Sequence, residues 1–292
     1  MTYKELLKEA SDVLEKNEVA DYKNDARLLC EYVFEKDRSY LIVHQDEEAD
    51  EELCKRFNEL LALRAAHVPL QHIIGQVCFM NYNFFVNGDV LIPRQDTEVL
   101  VEKTYELIVE QLKKSDKKSV KILDMCTGSG CIAISLYKML KEHKNDLTIE
   151  VTASDISEKA LETAKKNAKA NDAVINFVKS NLFGEFENSF DFDFIVSNPP
   201  YIEREEIEKL MPEVRDYEPR KALDGGKDGL DFYRIITKDA KKNTNSFYLI
   251  YEIGYNQGED LKRIFLENGY DEIDIIKDLA GLDRVALARR IV

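Results

Sequence analysis

The sequence predicts an α/β fold, with a helix-covered parallel sheet in its larger C-terminal part and a separate group of helices before it. Three observations lead there. None of the 12 glycines falls before Gly75, and only one of the six prolines, Pro69, does, so the first quarter lacks the residues that break helices. From about residue 119, short runs of branched and aromatic residues alternate with longer amphipathic runs, the pattern of strands joined by crossover helices. At 292 residues and 44% hydrophobic, the chain is long enough for two cores.

Residues 1–75 read as helices. Thr2 with Glu5 forms a capping box ahead of Leu6, Ala10, Val13 and Leu14 at helical spacing. A second helix is marked by Ala26, Leu29, Cys30, Val33 and Phe34, and a third by Leu53, Phe57, Leu60 and Leu61, with "DEEADEE" at 46–52 as its solvated acidic start. Residues 76–93, "VCFMNYNFFVNGDVLIP" with the preceding glutamine, form a connector of one or two strands with a turn near Gly88. The second domain spans 94–292. Asp96 can cap its first helix, striped by Val101, Tyr105, Ile108 and Leu112. Strand and helix then alternate through "VKILDM", "SGCIAISLYKMLKEH", "LTIEVTASD", "SEKALETAKKNAKAN", "VINFVKS" and "FDFDFIVSN". "FYLIYEIG", a helix near 256–268 and an antiparallel pair, "DEIDIIKDL" and "RVALARRIV", complete it.

The formal charge of −15 repels polyanions, so bare nucleic acid is not an expected partner. No apolar run reaches the length of a membrane span and the charged N-terminus does not resemble a signal peptide, so a cytoplasmic protein without a membrane partner is expected. Five scattered cysteines and four histidines show no ligand spacing, and no metal is expected.

In a parallel α/β sheet the ligand lies at the carboxyl ends of the strands, where strand order reverses. "ILDMCTGSGCIAI" puts Asp124 at a strand end and Gly128 and Gly130, flanking Ser129, in the turn to a helix whose free N–H groups can face a ligand. Asp155, at the end of the next strand, can accept both ribose hydroxyls. Gly128, Gly130 and Ala133 also satisfy the dinucleotide pattern of an NAD enzyme, but an acid ahead of the glycines fits S-adenosyl-L-methionine better. Cys126 stands where a third loop glycine would be, so its backbone must take a conformation open to other residues.

"IVSNPPYIE" places Asn198 at the same carboxyl edge. Pro199 and Pro200 fix their own φ and stiffen the chain, so the Asn198 side-chain oxygen and the Pro199 carbonyl form a rigid pair of acceptors, matched to the two donors of an NH2 group. An amide or aromatic amino nitrogen is a weak nucleophile, and holding both N–H bonds turns its lone pair toward a methyl donor and favours the charge that develops on it. Tyr201 can wall the substrate. The motif alone leaves open an amide in protein or an adenine or guanine in nucleic acid; a dehydrogenase would leave it without a task, and a non-enzymatic adaptor is a further alternative. Residues 1–75 carry 10 bases against 17 acids and residues 203–221 five against seven, neither a surface for a phosphate backbone.

With "LIPRQDTE" at 91–98, "EPRKALDGGKDGL" at 218–230 and "EIGYNQG" at 252–258, the chain resembles the peptide chain release factor glutamine methyltransferase family over nearly its whole length. The resemblance implies a Rossmann-like class I S-adenosylmethionine-dependent methyltransferase domain joined through a β-hairpin to an N-terminal helical-bundle domain. It further implies methylation of the glutamine in the Gly-Gly-Gln motif of release factors, with S-adenosyl-L-homocysteine as product and a monomer as the working unit. By motif position, Asn198, Pro199, Pro200 and Tyr201 would bind the glutamine, with Asn198, Pro199 and Tyr201 at the chemistry. Asp124, Cys126, Thr127, Gly128, Ser129, Gly130, Asp155 and Asn198 would contact the cofactor, and Asn181 and Leu182 its adenine, where the family often carries an acid and a tryptophan. Arg94 and Glu98 would shape the site or anchor the connector, and the acidic helical domain would meet a basic region of the release factor.

Overall fold

The computed structural model describes residues 1–115, 117–143, 146–186 and 190–291. The chain divides into two compact units, one of residues 1–76 with 211–217, the other of 77–210 with 218–292.

The first unit contains α1 (Tyr3–Lys16), α2 (Tyr22–Phe34), α3 (Arg38–Val43), α4 (Glu51–Ala65) and α5 (Leu70–Ile74). Thr2 and Glu5 close the expected capping box on α1, and Asp50 caps α4 by accepting from the Leu53 N–H. The short α3 and α5 were not marked by the apolar spacing, which one or two turns are too short to display. Leu6, Ala10, Leu14, Ala26, Leu29 and Phe57 form a core with almost no exposure. Arg64 is buried beside it, its Nε donating to Asp25 at 2.7 Å and its second guanidinium nitrogen to Glu213 at 2.5 Å. Burial raises the Asp25 carboxyl and Arg64 opposes that rise.

In the second unit, β1 (Gln76–Phe79) and β2 (Tyr82–Phe85) form a hairpin that reverses at Met80 and Asn81, both at positive φ, as a two-residue turn between right-twisted strands requires. The expected reversal near Gly88 is corrected: Gly88 lies beyond β2, where the Asn87 side chain accepts from the Asp89 N–H in a local turn. Glu98 Oε1 accepts from the Met80 N–H at 2.7 Å and so pins the hairpin turn. α6 (Gln95–Lys114) begins before Asp96, so that residue is not the cap; it sits in the first turn and pairs with Arg284 at 3.0 Å.

The remaining elements are β3 (Ser119–Met125), α7 (Cys131–His143), β4 (Thr148–Asp155), α8 (Glu158–Ala170), β5 (Asn176–Lys179) and β6 (Phe194–Ser197), then α9 (Pro212–Arg215, in the first unit), α10 (Arg220–Leu223), α11 (Asp231–Asp239), β7 (Phe247–Glu252), α12 (Gly258–Glu267), β8 (Asp271–Lys277) and β9 (Asp283–Arg290). Val292, which ends the last predicted strand run, lies outside the described residues.

The seven strands run in the order β5-β4-β3-β6-β7-β9-β8, parallel except for β9, which is antiparallel to both β7 and β8. β3 and β6 lie side by side although two strands separate them in sequence, so the strand order reverses between them. The carboxyl ends of β4, β3 and β6 therefore share one edge, and that edge carries Asp155, Cys126 and Asn198. All four residues of β6 and all six of β7 are buried, which explains why these runs show no polar alternation.

Candidate functional site

At this edge the second unit opens a cleft of about 860 Å³. Of the residues singled out from the sequence, Arg94, Cys126, Thr127, Gly128, Ser129, Asp155, Asn181, Leu182, Asn198 and Pro200 line it. Asp124, Gly130, Pro199, Tyr201 and Glu98 do not appear in its wall, and each has a different place.

Asp124 lies beneath the glycine loop with no exposure, its Oδ2 accepting from Thr127 Oγ1 at 2.5 Å and from the Ala133 N–H at 3.1 Å. Burial pushes its carboxyl up to about 7 while those two bonds oppose the shift, and its Oδ1 has no hydrogen-bond partner. Ser129 Oγ and Ser154 Oγ, on residues that line the cleft, are also buried and unpaired. Buried polar atoms normally find partners, so three orphans around one loop mark a place built for a polar ligand group.

Cys126 adopts φ +61°, inside the small left-handed region that a side chain can enter at a cost of about 1 kcal/mol. Ser197 Oγ donates to the Met125 carbonyl at 2.6 Å and ties the end of β6 to this loop. Gly130 has φ +82°, and a Cβ there would lie 3.1 Å from both Ala164 Cβ and Ile134 Cδ1, so it lets α7 and α8 pack closely. Asp155 accepts from the Gly128 N–H at 2.9 Å and the Ser157 N–H at 2.8 Å, one per oxygen, which leaves lone pairs for a ligand; burial raises its carboxyl. Asn167 bonds both backbone groups of Phe85 and the Ser129 carbonyl, joining the hairpin to the glycine loop.

Asn198 follows β6 half-buried, with Pro199 and Pro200 buried after it. Its Nδ2 donates to Thr97 Oγ1 at 3.3 Å, while neither its Oδ1 nor the Pro199 carbonyl accepts a hydrogen bond among the described residues. Tyr201 points its hydroxyl to Glu252 Oε1 at 3.1 Å, and burial raises its phenol far above the ordinary value, so it stays protonated.

Three segments hold this turn. Ile202 pairs with Asp224, through the Ile202 N–H to the Leu223 carbonyl at 3.0 Å and the Gly225 N–H to the Ile202 carbonyl at 2.8 Å. Gly225 and Gly229 press against it: a Cβ at Gly225 would fall 2.7 Å from Tyr201 Cα, and one at Gly229 2.3 Å from the Tyr201 carbonyl oxygen. Gln257 Nε2 donates to that same oxygen at 3.1 Å. Arg94 makes two bonds to buried Glu218, at 2.7 and 2.8 Å, and braces the start of α6. Around the cleft the cations Arg94, Arg204, Arg220 and Lys221 are matched by four carboxylates, so its wall carries no net basic field.

Residues 5–75 match the model of the PrmC N-terminal domain, and residues 99–214 that of the methyltransferase small domain. A relative from Clostridium acetobutylicum, named release factor glutamine methyltransferase, is 39% identical over 99% of this chain and 99% of its own. The chain belongs to the release factor glutamine methyltransferase family. A Bacillus cereus member of the same name is 36% identical over 97% of this chain and 98% of its own. Among solved structures, the hMettl16 catalytic domain in complex with MAT2A 3'UTR hairpin 6 has a TM-score of 0.53 at 16% identity, covering 79% of this chain and 81% of that one, a likeness of fold. The fold is the Rossmann-like class I methyltransferase α/β fold, with an N-terminal helical region and a small antiparallel hairpin.

The segments around Thr97, Gly225–Gly229 and Glu252–Gln257 converge on the N-P-P-Y turn. Thr97, Ser197, Glu252 and Gln257 were not singled out from the sequence, although Thr97 lies within "PRQDTE" and Glu252 and Gln257 within "EIGYNQG". Among the described residues no helix is long and apolar enough to cross a membrane.

Proposed function

We propose that this chain transfers a methyl group from S-adenosyl-L-methionine to the side-chain amide nitrogen of the glutamine in the Gly-Gly-Gln motif of peptide chain release factors. One observation carries the reading. End-to-end similarity to release factor glutamine methyltransferases coincides with an N-P-P-Y turn at the cleft edge whose two acceptor oxygens have no partner among the described residues.

The residues present fit the cofactor. Gly128, at positive φ in the cleft wall, lets the backbone approach it, Asp155 keeps lone pairs for ribose hydroxyls, and the orphaned Ser129 and Ser154 hydroxyls, with buried Asp124 beneath the loop, suit its polar amino-acid end. When bound, S-adenosyl-L-methionine supplies an electrophilic methyl carbon on a sulfonium. Asn198 Oδ1 and the Pro199 carbonyl would take the two N–H bonds of the carboxamide and turn the nitrogen lone pair into the cleft. The same two dipoles favour the positive charge that grows on nitrogen as its bond to carbon forms, and they are held in place before the reaction starts. No strong base is needed first, because the alkylated nitrogen becomes acidic enough to release its proton late to water. Asn181 and Leu182, which line the cleft, would meet the adenine, with Leu182 supplying an aliphatic side chain.

A Gly-Gly-Gln tip is too small for selective recognition, and the first 75 residues, with 17 acids against 10 bases, suit a basic region of the release factor. The test is transfer of labelled methyl to purified release factor, compared with ribosomal RNA and DNA. Label in the Gly-Gly-Gln peptide is expected. Label in nucleic acid alone would favour an amino-nitrogen methyltransferase of adenine or guanine and end the reading.

A further inference from the structure

We propose that Gln257 is a positioning residue for methyl transfer, holding the N-P-P-Y turn at the angle from which the Pro199 carbonyl meets the substrate amide. The inference rests on the methyl-transfer reading above. Pro199 and Pro200 fix their own φ, but the peptide planes that follow can still rotate, and the chain leaves the turn through the Tyr201 carbonyl. Only a few rotatable bonds separate that carbonyl from the one of Pro199, so whatever clamps the first limits the second.

Gln257 is the clamp. Its Oε1 accepts from the Gly254 N–H at 2.9 Å, and its Nε2 donates to the Tyr201 carbonyl at 3.1 Å and to the Gly229 carbonyl at 3.4 Å. A backbone N–H can only donate and a carbonyl can only accept, so a half turn of this amide would misplace all three contacts. The side chain is buried, and the Gln257 N–H donates to the Gly254 carbonyl at 3.0 Å, which closes 254–257 into a tight turn and sets the amide in place before any ligand arrives. One side chain thus ties together the exit of the N-P-P-Y turn, the loop between α10 and α11, and the end of β7.

The surrounding backbone leaves just enough room for it. A Cβ at Gly229 would fall 2.7 Å from Gln257 Nε2, and one at Gly254 3.1 Å from its Oε1. The same segment grips Tyr201 a second time, since Glu252 takes its hydroxyl at 3.1 Å. Asn198 and Pro200 line the cleft and Gln257 does not, so it acts through the turn and not on the reacting atoms.

The experiment uses the full chain, purified release factor and labelled S-adenosyl-L-methionine, with folding followed by circular dichroism and cofactor affinity by calorimetry. Gln257→Met keeps the length and removes both polar ends. It is expected to lower kcat about tenfold, the equivalent of one neutral hydrogen bond, with KM for the release factor and Kd for the cofactor within about twofold of the parent. Gln257→Glu keeps the shape and makes the donor depend on pH. Protonated, it can accept from Gly254 and donate to Tyr201; ionised, it faces two carbonyl oxygens with no proton to give.

Burial raises such a carboxyl, and so do the negative charges of Glu252, of Asp228 and Asp231 beside Gly229, and of Asp283 beside Gly258. The cations on these segments, Arg204, Arg234, Lys277 and Arg284, are each paired with an aspartate. The start of α12 works the other way, but Glu259 and Asp260 already occupy its first turn. The ratio of kcat in Gln257→Glu to that of the parent is therefore expected to fall about tenfold as pH rises from about 5.5 to about 8.5. Groups common to both proteins cancel in that ratio, and a residue that served only stability would give it no such slope while both remain folded.

Parental kcat in Gln257→Met, or a Gln257→Glu ratio that does not fall with pH, would overturn the inference. Should Gln257→Met lose its fold or its cofactor, the pH course of Gln257→Glu decides alone. A parent protein that transfers no methyl to release factor would instead bring down the function proposed above, and this inference with it.

Discussion

Replacing Asp124 by asparagine should remove a large part of the protein's loss of stability between pH 4 and pH 7. The carboxyl is fully buried and its proton is held up to a pH of about 7, against 3.8 for an ordinary aspartate, because burial penalises the charge more than Thr127 and the Ala133 N–H relieve it. Below pH 4 the group is protonated in both folded and unfolded chains and contributes no slope. As pH climbs from there toward 7, the unfolded chain releases a proton that the folded chain keeps, so stability falls. A gap of about three units corresponds to about 4 kcal/mol, reached near pH 7 and constant above it. An asparagine can still accept from Thr127 but has no proton to lose. Thermal melts of the cofactor-free protein, followed at pH 4 to 8, should therefore show the variant gaining on the parent as pH rises. The melting-point gap should widen by about 10 °C for a unit of this size. All other titrating groups are common to both proteins and cancel in the difference. Parallel melting-point curves across that range would refute the reasoning.

Asn198→Ala should cut kcat about 100-fold with cofactor affinity retained in calorimetry, since it removes a preorganised polar contact to the reacting amide and leaves the glycine loop intact. Gly229→Ala should slow turnover without weakening cofactor binding, because its Cβ would fall 2.3 Å from the Tyr201 carbonyl oxygen and 2.7 Å from Gln257 Nε2 at a φ of +72°; steady-state kinetics beside calorimetry checks the split. Arg64→Met should destabilise the first unit by about 3 kcal/mol at pH 8, because it strands the buried Asp25 carboxylate. Protonating Asp25 should relieve that loss at low pH, which melts at the two pH values would detect.

The alternating elements were legible because each strand run is short and rich in branched or aromatic residues, and each helix run keeps a 3.6-residue stripe. The antiparallel β8–β9 pair at the sheet edge was legible from its branched residues, although β8 itself has no fully buried position. The hairpin turn was not: Met80–Asn81 lacks the glycine that usually marks a two-residue reversal, while Asn87–Gly88, which has one, makes a local turn beyond the strands. α10 and α11 were not marked by the sequence; of the glycines between them, Gly225 and Gly229 press on Tyr201, more than 20 residues away in sequence, and Gly226 on Asp231. The cleft wall from the glycine loop to Asn198 could be found from residue type and position after a strand. What supports the turn could not, because Thr97 reaches Asn198, and Glu252 reaches Tyr201, from elements distant in the chain, and nothing in local spacing announces a hydrogen bond across 101 residues.

The central claim is that two oxygens on a stiff turn hold a planar carboxamide and aim its nitrogen at the methyl donor. A crystal structure of the protein with S-adenosyl-L-homocysteine and a Gly-Gly-Gln peptide tests it most directly. The account expects the glutamine amide nitrogen at about 2.9 Å from both Asn198 Oδ1 and the Pro199 carbonyl oxygen, facing the sulfur. A glutamine bound elsewhere in the cleft, or held by its carbonyl with the nitrogen turned away from sulfur, would contradict it.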